Sequence, residues 1–288
     1  MDPEALMPDE RMTGELNKED YAEPQCLLNM HAALPEVPAR PVPMSRIIEK
    51  LDEHLSRDDW AAAERHLDYW LADALAGGDR KGALAIQGER MGLFRKRGRE
   101  AEAMEAVKAA LELLAETGME GSLTGATTWV NVATVYKTFG RSAEALPYYE
   151  KAQAVYESHL TGADVRLGGL YNNMALALAD LGRFAEARAY YEKALSVMEK
   201  IDGGELEMAV TYLNLADLEA AEKGPEEAEE TVQDLLDRAR AALDTPALPR
   251  NGYYAFVLRS CAPTFRYYGR FMDAEELEAI AQSIYQNA

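Results

Sequence analysis

The sequence predicts an all-α fold, a right-handed α-solenoid of about six antiparallel helix hairpins, and three observations predict it. From Ser45 onward apolar residues recur at intervals of three and four, as in Ile47, Ile48, Leu51 and Leu55 and again in Leu176, Leu178 and Leu181, with no credible strand between them. The chain also repeats itself, because KTFGRSAEALPYYEKAQAVY at 137–156 aligns with ADLGRFAEARAYYEKALSVM at 179–198 at a shift of 42 residues. Finally, Gly98, Gly140 and Gly182 share that spacing of 42. Each lies between two helical patterns, where a helix that reverses direction needs a residue at positive φ.

Taken in order, residues 1–43 form an N-terminal tail, expected to be extended or disordered, and residues 44–288 form the helical domain. Prolines at positions 3, 8, 24, 35, 38, 41 and 43 prevent a long helix in the tail, and nine acids face three bases there. Within the domain, turns equivalent to the three glycines fall at Asp58, Lys223 and Gly269 when the small residue five positions later is aligned: Ala63, Ala103, Ala145, Ala187, Ala228 and Ala274. Successive turns are then 40, 42, 42, 41 and 46 residues apart. The alanines let the two helices of a hairpin approach closely, while Leu67, Val107, Tyr149, Tyr191 and Val232 fill the space between repeats. A single hairpin has too little apolar surface to bury, so stability comes from stacking.

Composition excludes several functions. A net charge of −20 opposes binding to nucleic acid and to anionic membrane surfaces, where cations supply the affinity. No apolar run is long enough to span a bilayer, and the acidic N-terminus lacks the basic and apolar regions of a signal peptide, so the expected location is cytoplasmic. Cys26 and Cys261 form no CxxC pair, and His31, His54, His66 and His159 lack metal-ligand spacing, so neither a metal nor another cofactor is expected. There is no GxSxG, HExxH or GxxxxGK[ST] motif, and the chain does not read as an enzyme.

The string YNNMALALADLGRFAEARAYYEKAL at 171–195 resembles the tetratricopeptide repeat, and the period of 42 is similar to the longer form found in kinesin light chains. GLFRKRGREAEAMEAVKAAL, within hairpin two, carries a weaker likeness. The resemblance implies a superhelix in which the first helix of each hairpin lines a concave groove. It also implies protein binding as the activity.

Nine residues before each turn stand Glu49, Glu89, Asn131, Asn173, Asn214 and Ser260, so three consecutive hairpins place an asparagine at one register. In similar repeats this residue faces the groove, where an amide that both donates and accepts holds the backbone of an extended peptide. Asn172 adjoins the set and Thr134 lies on the same helix as Asn131. Alternatively, the asparagines satisfy hydrogen bonds between helices of the scaffold. Three residues before the turn stand Arg95, Lys137 and Arg266, cations that would select acidic segments or that simply complement helix dipoles. The pairs Tyr148/Tyr149, Tyr190/Tyr191, Tyr253/Tyr254 and Tyr267/Tyr268 read as core, at least one member of each facing the packing between repeats.

The sequence therefore reads as an interaction adaptor binding an extended or acidic segment of another protein. The alternative is a cytoplasmic peptide-pheromone sensor or regulatory protein that uses such repeats to bind a ligand. Residues 19–31 (EDYAEPQCLLNMH) mix acids with apolar side chains in a form suited to extended binding, which makes the tail itself a candidate occupant. If the tail occupies the groove, deleting it raises affinity for a partner in a titration; a leader that binds nothing leaves affinity unchanged.

Overall fold

The computed structural model describes residues 40–287, and every helix or strand assigned among them is an α-helix. The helices are α1 (Met44–Ser56), α2 (Trp60–Ala76), α3 (Arg80–Lys96), α4 (Glu100–Thr117), α5 (Leu123–Thr138), α6 (Ser142–His159), α7 (Val165–Asp180), α8 (Phe184–Met198), α9 (Glu205–Lys223), α10 (Pro225–Leu243), α11 (Gly252–Tyr267) and α12 (Phe271–Asn287). They pair as six consecutive hairpins. Among the described residues, no helix is long and apolar enough to cross a membrane. Residues 1–39, which hold most of the sequence-defined tail and Cys26, lie outside the described part.

Five of the six turns are built alike. A residue at positive φ, Asp58 (54°), Gly98 (66°), Gly140 (74°), Gly182 (70°) or Gly269 (79°), follows the first helix. The next backbone N–H then reaches back five residues, as from Arg141 to the Tyr136 carbonyl (2.9 Å) and from Arg183 to the Leu178 carbonyl (2.9 Å). This closure satisfies carbonyls that the helix end would leave open. In four hairpins the arginine after the glycine pairs with an acid three residues on: Arg99–Glu102, Arg141–Glu144, Arg183–Glu186 and Arg270–Asp273.

The fifth turn departs from the expectation. Lys223 keeps its register position but stays helical, and positive φ moves one residue on to Gly224 (86°). Pro225 begins α10 directly, its fixed φ suited to a first helical position and its missing N–H costing nothing there. Variation in period falls mainly in the links between hairpins, from three residues at 77–79 to eight at 244–251. The longer link sends Leu248 into the core.

Packing follows the repeat. Ala63, Ala103, Ala145, Ala187, Ala228 and Ala274 have no exposed surface, and Leu67, Val107, Tyr149, Tyr191 and Val232 are buried beside them. Each first helix packs on its own second helix, and α3–α5, α5–α7, α7–α9 and α9–α11 also touch. Second helices of neighbouring hairpins make no comparable approach. The first helices thus form the crowded inner layer and the second helices the splayed outer one, which puts the concave face on the odd-numbered helices.

At the N-terminal end, Arg40–Pro43 are tied to the link between α2 and α3. Arg40 N–H donates to the Gly77 carbonyl (2.9 Å), Val42 N–H donates to Asp79 Oδ2 (2.9 Å), and the Val42 side chain is buried. A truncation that tests the tail should therefore keep residue 40 onward.

Because Ala187 is wholly buried in the packed interior, Ala187→Leu should destabilise the protein by about 1–3 kcal/mol. Ala185→Leu, on the exposed face of the same helix, should stay within about 0.5 kcal/mol of the parent in urea denaturation.

Candidate functional site

On the inner layer, residues spaced three and four apart form parallel stripes that share the register of the asparagines: Thr127, Asn131 and Thr134 on α5; Gly169, Asn173 and Leu176 on α7; Glu207, Val210, Asn214 and Asp217 on α9; and Tyr253, Phe256, Ser260, Pro263 and Tyr267 on α11. A Cβ added at Gly92 or Gly169 would meet nothing within 4 Å, so small residues leave the face open at α3 and α7.

The asparagines divide into two kinds. Asn214 Nδ2 donates to Asn172 Oδ1 (3.0 Å), joining α9 to α7, so part of the set belongs to the scaffold. Thr211 adds a longer contact to the same oxygen (3.4 Å). Asn131 and Asn173 are half-buried and neither amide has a hydrogen-bond partner among the described residues. The Asn131 amide lies over Gly88 of α3, 3.5 Å from where a Cβ would stand. Thr134 is turned inward, its hydroxyl bonded to the Val130 carbonyl (2.7 Å) and to the Tyr149 hydroxyl (3.1 Å).

The cations also separate. Arg95, Lys137 and Arg266 all sit in the last turn of their helices, where each complements the helix dipole. Arg266 is engaged, with two hydrogen bonds to Glu278 of its own hairpin (3.0 and 2.9 Å). Arg95 and Lys137 are half-buried and form no ion pair among the described residues. Arg95 acts on the Tyr149 hydroxyl, as does Asp180 with opposite sign, so charges from α3 and α7 converge on one buried tyrosine. Burial dominates there and pushes the phenol up to about 12. Asp180 itself accepts a hydrogen bond from Ser142 (2.7 Å).

Three of the tyrosine pairs place their second member, Tyr149, Tyr191 or Tyr254, fully in the core. In the fourth, Tyr268 packs partly against the core while Tyr267 is 80% exposed. Tyr253 and Phe256 are exposed as well and stack at 6.4 Å between centroids. Tyr253 of α11 and Tyr268, just past its end, reach back to acids of α9: Tyr253 donates to Glu207, and Tyr268 donates to Asp217 Oδ1 (2.9 Å). Neither acid has an ion-pair partner among the described residues. Asp217 remains exposed, but partial desolvation by the surrounding helices raises its carboxyl despite the hydrogen bond from Tyr268. Sequence reasoning missed this end of the groove. The signal was the shift of 46 residues that carries Glu207, Val210, Asn214 and Asp217 onto Tyr253, Phe256, Ser260 and Pro263.

The tetratricopeptide repeat family model matches residues 83–158 and 166–241, together more than half of the chain. Among solved structures, the chain is similar to BtubC (BKLC) from P. vanneervenii, at 24% identity over 70% of this chain and 81% of that one, with a TM-score of 0.60. It is also similar to a point variant of a Podosopora anserina kinesin light chain with nearly identical TPR-like repeats, at 19% identity over 71% of this chain and 97% of that one, with a TM-score of 0.50. At these identities the likeness is one of fold. No curated protein matches the sequence.

The two kinds of asparagine should respond differently to substitution. Asn172→Ala strands a half-buried Asn214 donor and should cost about 1 kcal/mol in denaturant unfolding. Asn131→Ala and Asn173→Ala should each stay within about 0.5 kcal/mol of the parent, because neither amide serves the scaffold.

Proposed function

Because the chain belongs to the tetratricopeptide repeat family, we propose that it is an interaction adaptor that holds an extended segment of a partner protein along the concave face of its first helices. Repeats of this family generally mediate protein–protein interactions. The finer reading rests on one observation above the others: the amides of Asn131 and Asn173 stand on neighbouring inner helices with no partner among the described residues, although the adjoining Asn172 and Asn214 are bonded to each other. An amide that can donate and accept suits a peptide main chain, whose N–H and C=O groups alternate. Lys137 and Arg95 lie on the same inner layer, and their lack of carboxylate partners supports a preference for acidic sequences. Arg266 is left out of the binding set because Glu278 already neutralises it. Thr134 is assigned a supporting role, holding the Tyr149 hydroxyl beneath the groove.

The reading is tested with a library of octapeptides, N-acetylated and C-amidated so that recognition depends on the extended chain. The double variant Asn131→Ala/Asn173→Ala should lose roughly tenfold or more in affinity for every peptide selected by the parent. Lys137→Ala should instead weaken only acidic peptides and flatten the salt dependence of their binding. If peptides bind the double variant as tightly as the parent, the groove assignment is wrong.

A further inference from the structure

The C-terminal end of the inner layer has a different chemistry from the middle. Between α9 and α11 lies a cleft of about 740 Å³ lined by Asp217, Ala220, Ala221, Pro225, Pro263, Thr264, Tyr267 and Tyr268. Its one ionisable group besides the two phenols is the Asp217 carboxylate, and no cation of the described residues pairs with it or acts on its titration. The basic residues of α11 are directed elsewhere: Arg266 is held by Glu278, and Arg259 lines a separate recess with Glu278, Ala281 and Tyr285. A second acid of α9, Glu207, has only the Tyr253 hydroxyl as side-chain partner among the described residues, and Tyr253 and Phe256 expose their rings beside it.

The site therefore offers an exposed carboxylate without a cation partner among the described residues, and aromatic rings beside it, two features that each attract a cation. It offers nothing comparable to an anion.

We propose that this cleft seats a lysine or arginine side chain of the partner segment held in the groove, with its charge against Asp217 and its stem along Tyr267 and Pro263. The proposal rests on the groove reading above and adds a second specificity: acids are selected near Arg95 and Lys137, and a base is selected near Asp217. A partner segment thus carries an acidic stretch and a basic residue in a fixed order.

The octapeptide library, scanned one position at a time, tests this with the full chain. The parent should favour lysine or arginine over norleucine roughly tenfold at one position. Asp217→Asn, which keeps an acceptor for Tyr268, should abolish that preference with the helical circular dichroism unchanged. Tyr267→Ala, at a highly exposed ring, should reduce it, and Lys137→Ala should leave it intact. Selection of acidic peptides with no basic preference, or a basic preference that survives Asp217→Asn, overturns the cleft assignment and leaves the groove reading standing. Failure of the parent to bind any peptide removes both.

Discussion

At one register, the second helix of every hairpin carries a wholly buried alanine. With no exposed surface at any of Ala63, Ala103, Ala145, Ala187, Ala228 or Ala274, the two helices meet at a distance that a larger side chain would not permit. The remaining apolar surface is too large for one hairpin to cover, and the residues beside the alanines are correspondingly large. Tyr149 and Tyr191 fill the step from one repeat to the next, and Leu67, Val107 and Val232 do so where less volume is needed. Small within the hairpin and large between hairpins is the arrangement that makes stacking obligatory.

That constraint also decides what the inner face can do. A buried hydroxyl left without a hydrogen bond costs about 1–3 kcal/mol. Tyr149 avoids that cost through Thr134 on the inner helix α5, so a core side chain ends just beneath the groove. Its neighbourhood includes Arg95 and Asp180, contributed by the helices on either side. Core packing and groove electrostatics thus share a boundary at this hydroxyl, and the positions of the groove charges follow from stacking rather than from a separate loop structure.

Much of this was legible in the sequence because the repeat is a strong periodic signal. The shift of 42, the turn glycines and the aligned alanines place all six hairpins, and the tetratricopeptide resemblance agrees with the family match. The fifth turn was less legible. Register alone identifies Lys223, but whether a helix continues for another residue depends on the local competition between a lysine that extends it and a Gly–Pro pair that ends it. The asparagines show a deeper limit. Sequence places them in one register, yet whether an amide is consumed by its neighbour depends on the distance between adjacent first helices, and only the Asn172–Asn214 pair comes within bonding range. Arg266 shares its register with Lys137 but meets an acid twelve residues away on its own hairpin, a contact that no repeat consensus encodes.

The order of charge along the inner layer carries the functional argument one step further. Glu89 on α3 is half-buried, and burial together with the nearby Asp52 raises its carboxyl, which marks crowding of negative charge at the N-terminal end. Next come Arg95 on α3 and Lys137 on α5, the latter sharing its helix with Asn131, then Asn173 on α7, and then Glu207 and Asp217 on α9 with the exposed rings of α11. Specificity depends as much on what a surface repels as on what it attracts. An acidic segment that slid toward α1 would meet Glu89 and Asp52, and one that slid toward α11 would meet Asp217. In the proposed reading the two negative ends therefore fix the register of a bound chain. The backbone-holding amides cannot do this, because a main chain presents the same groups at every step.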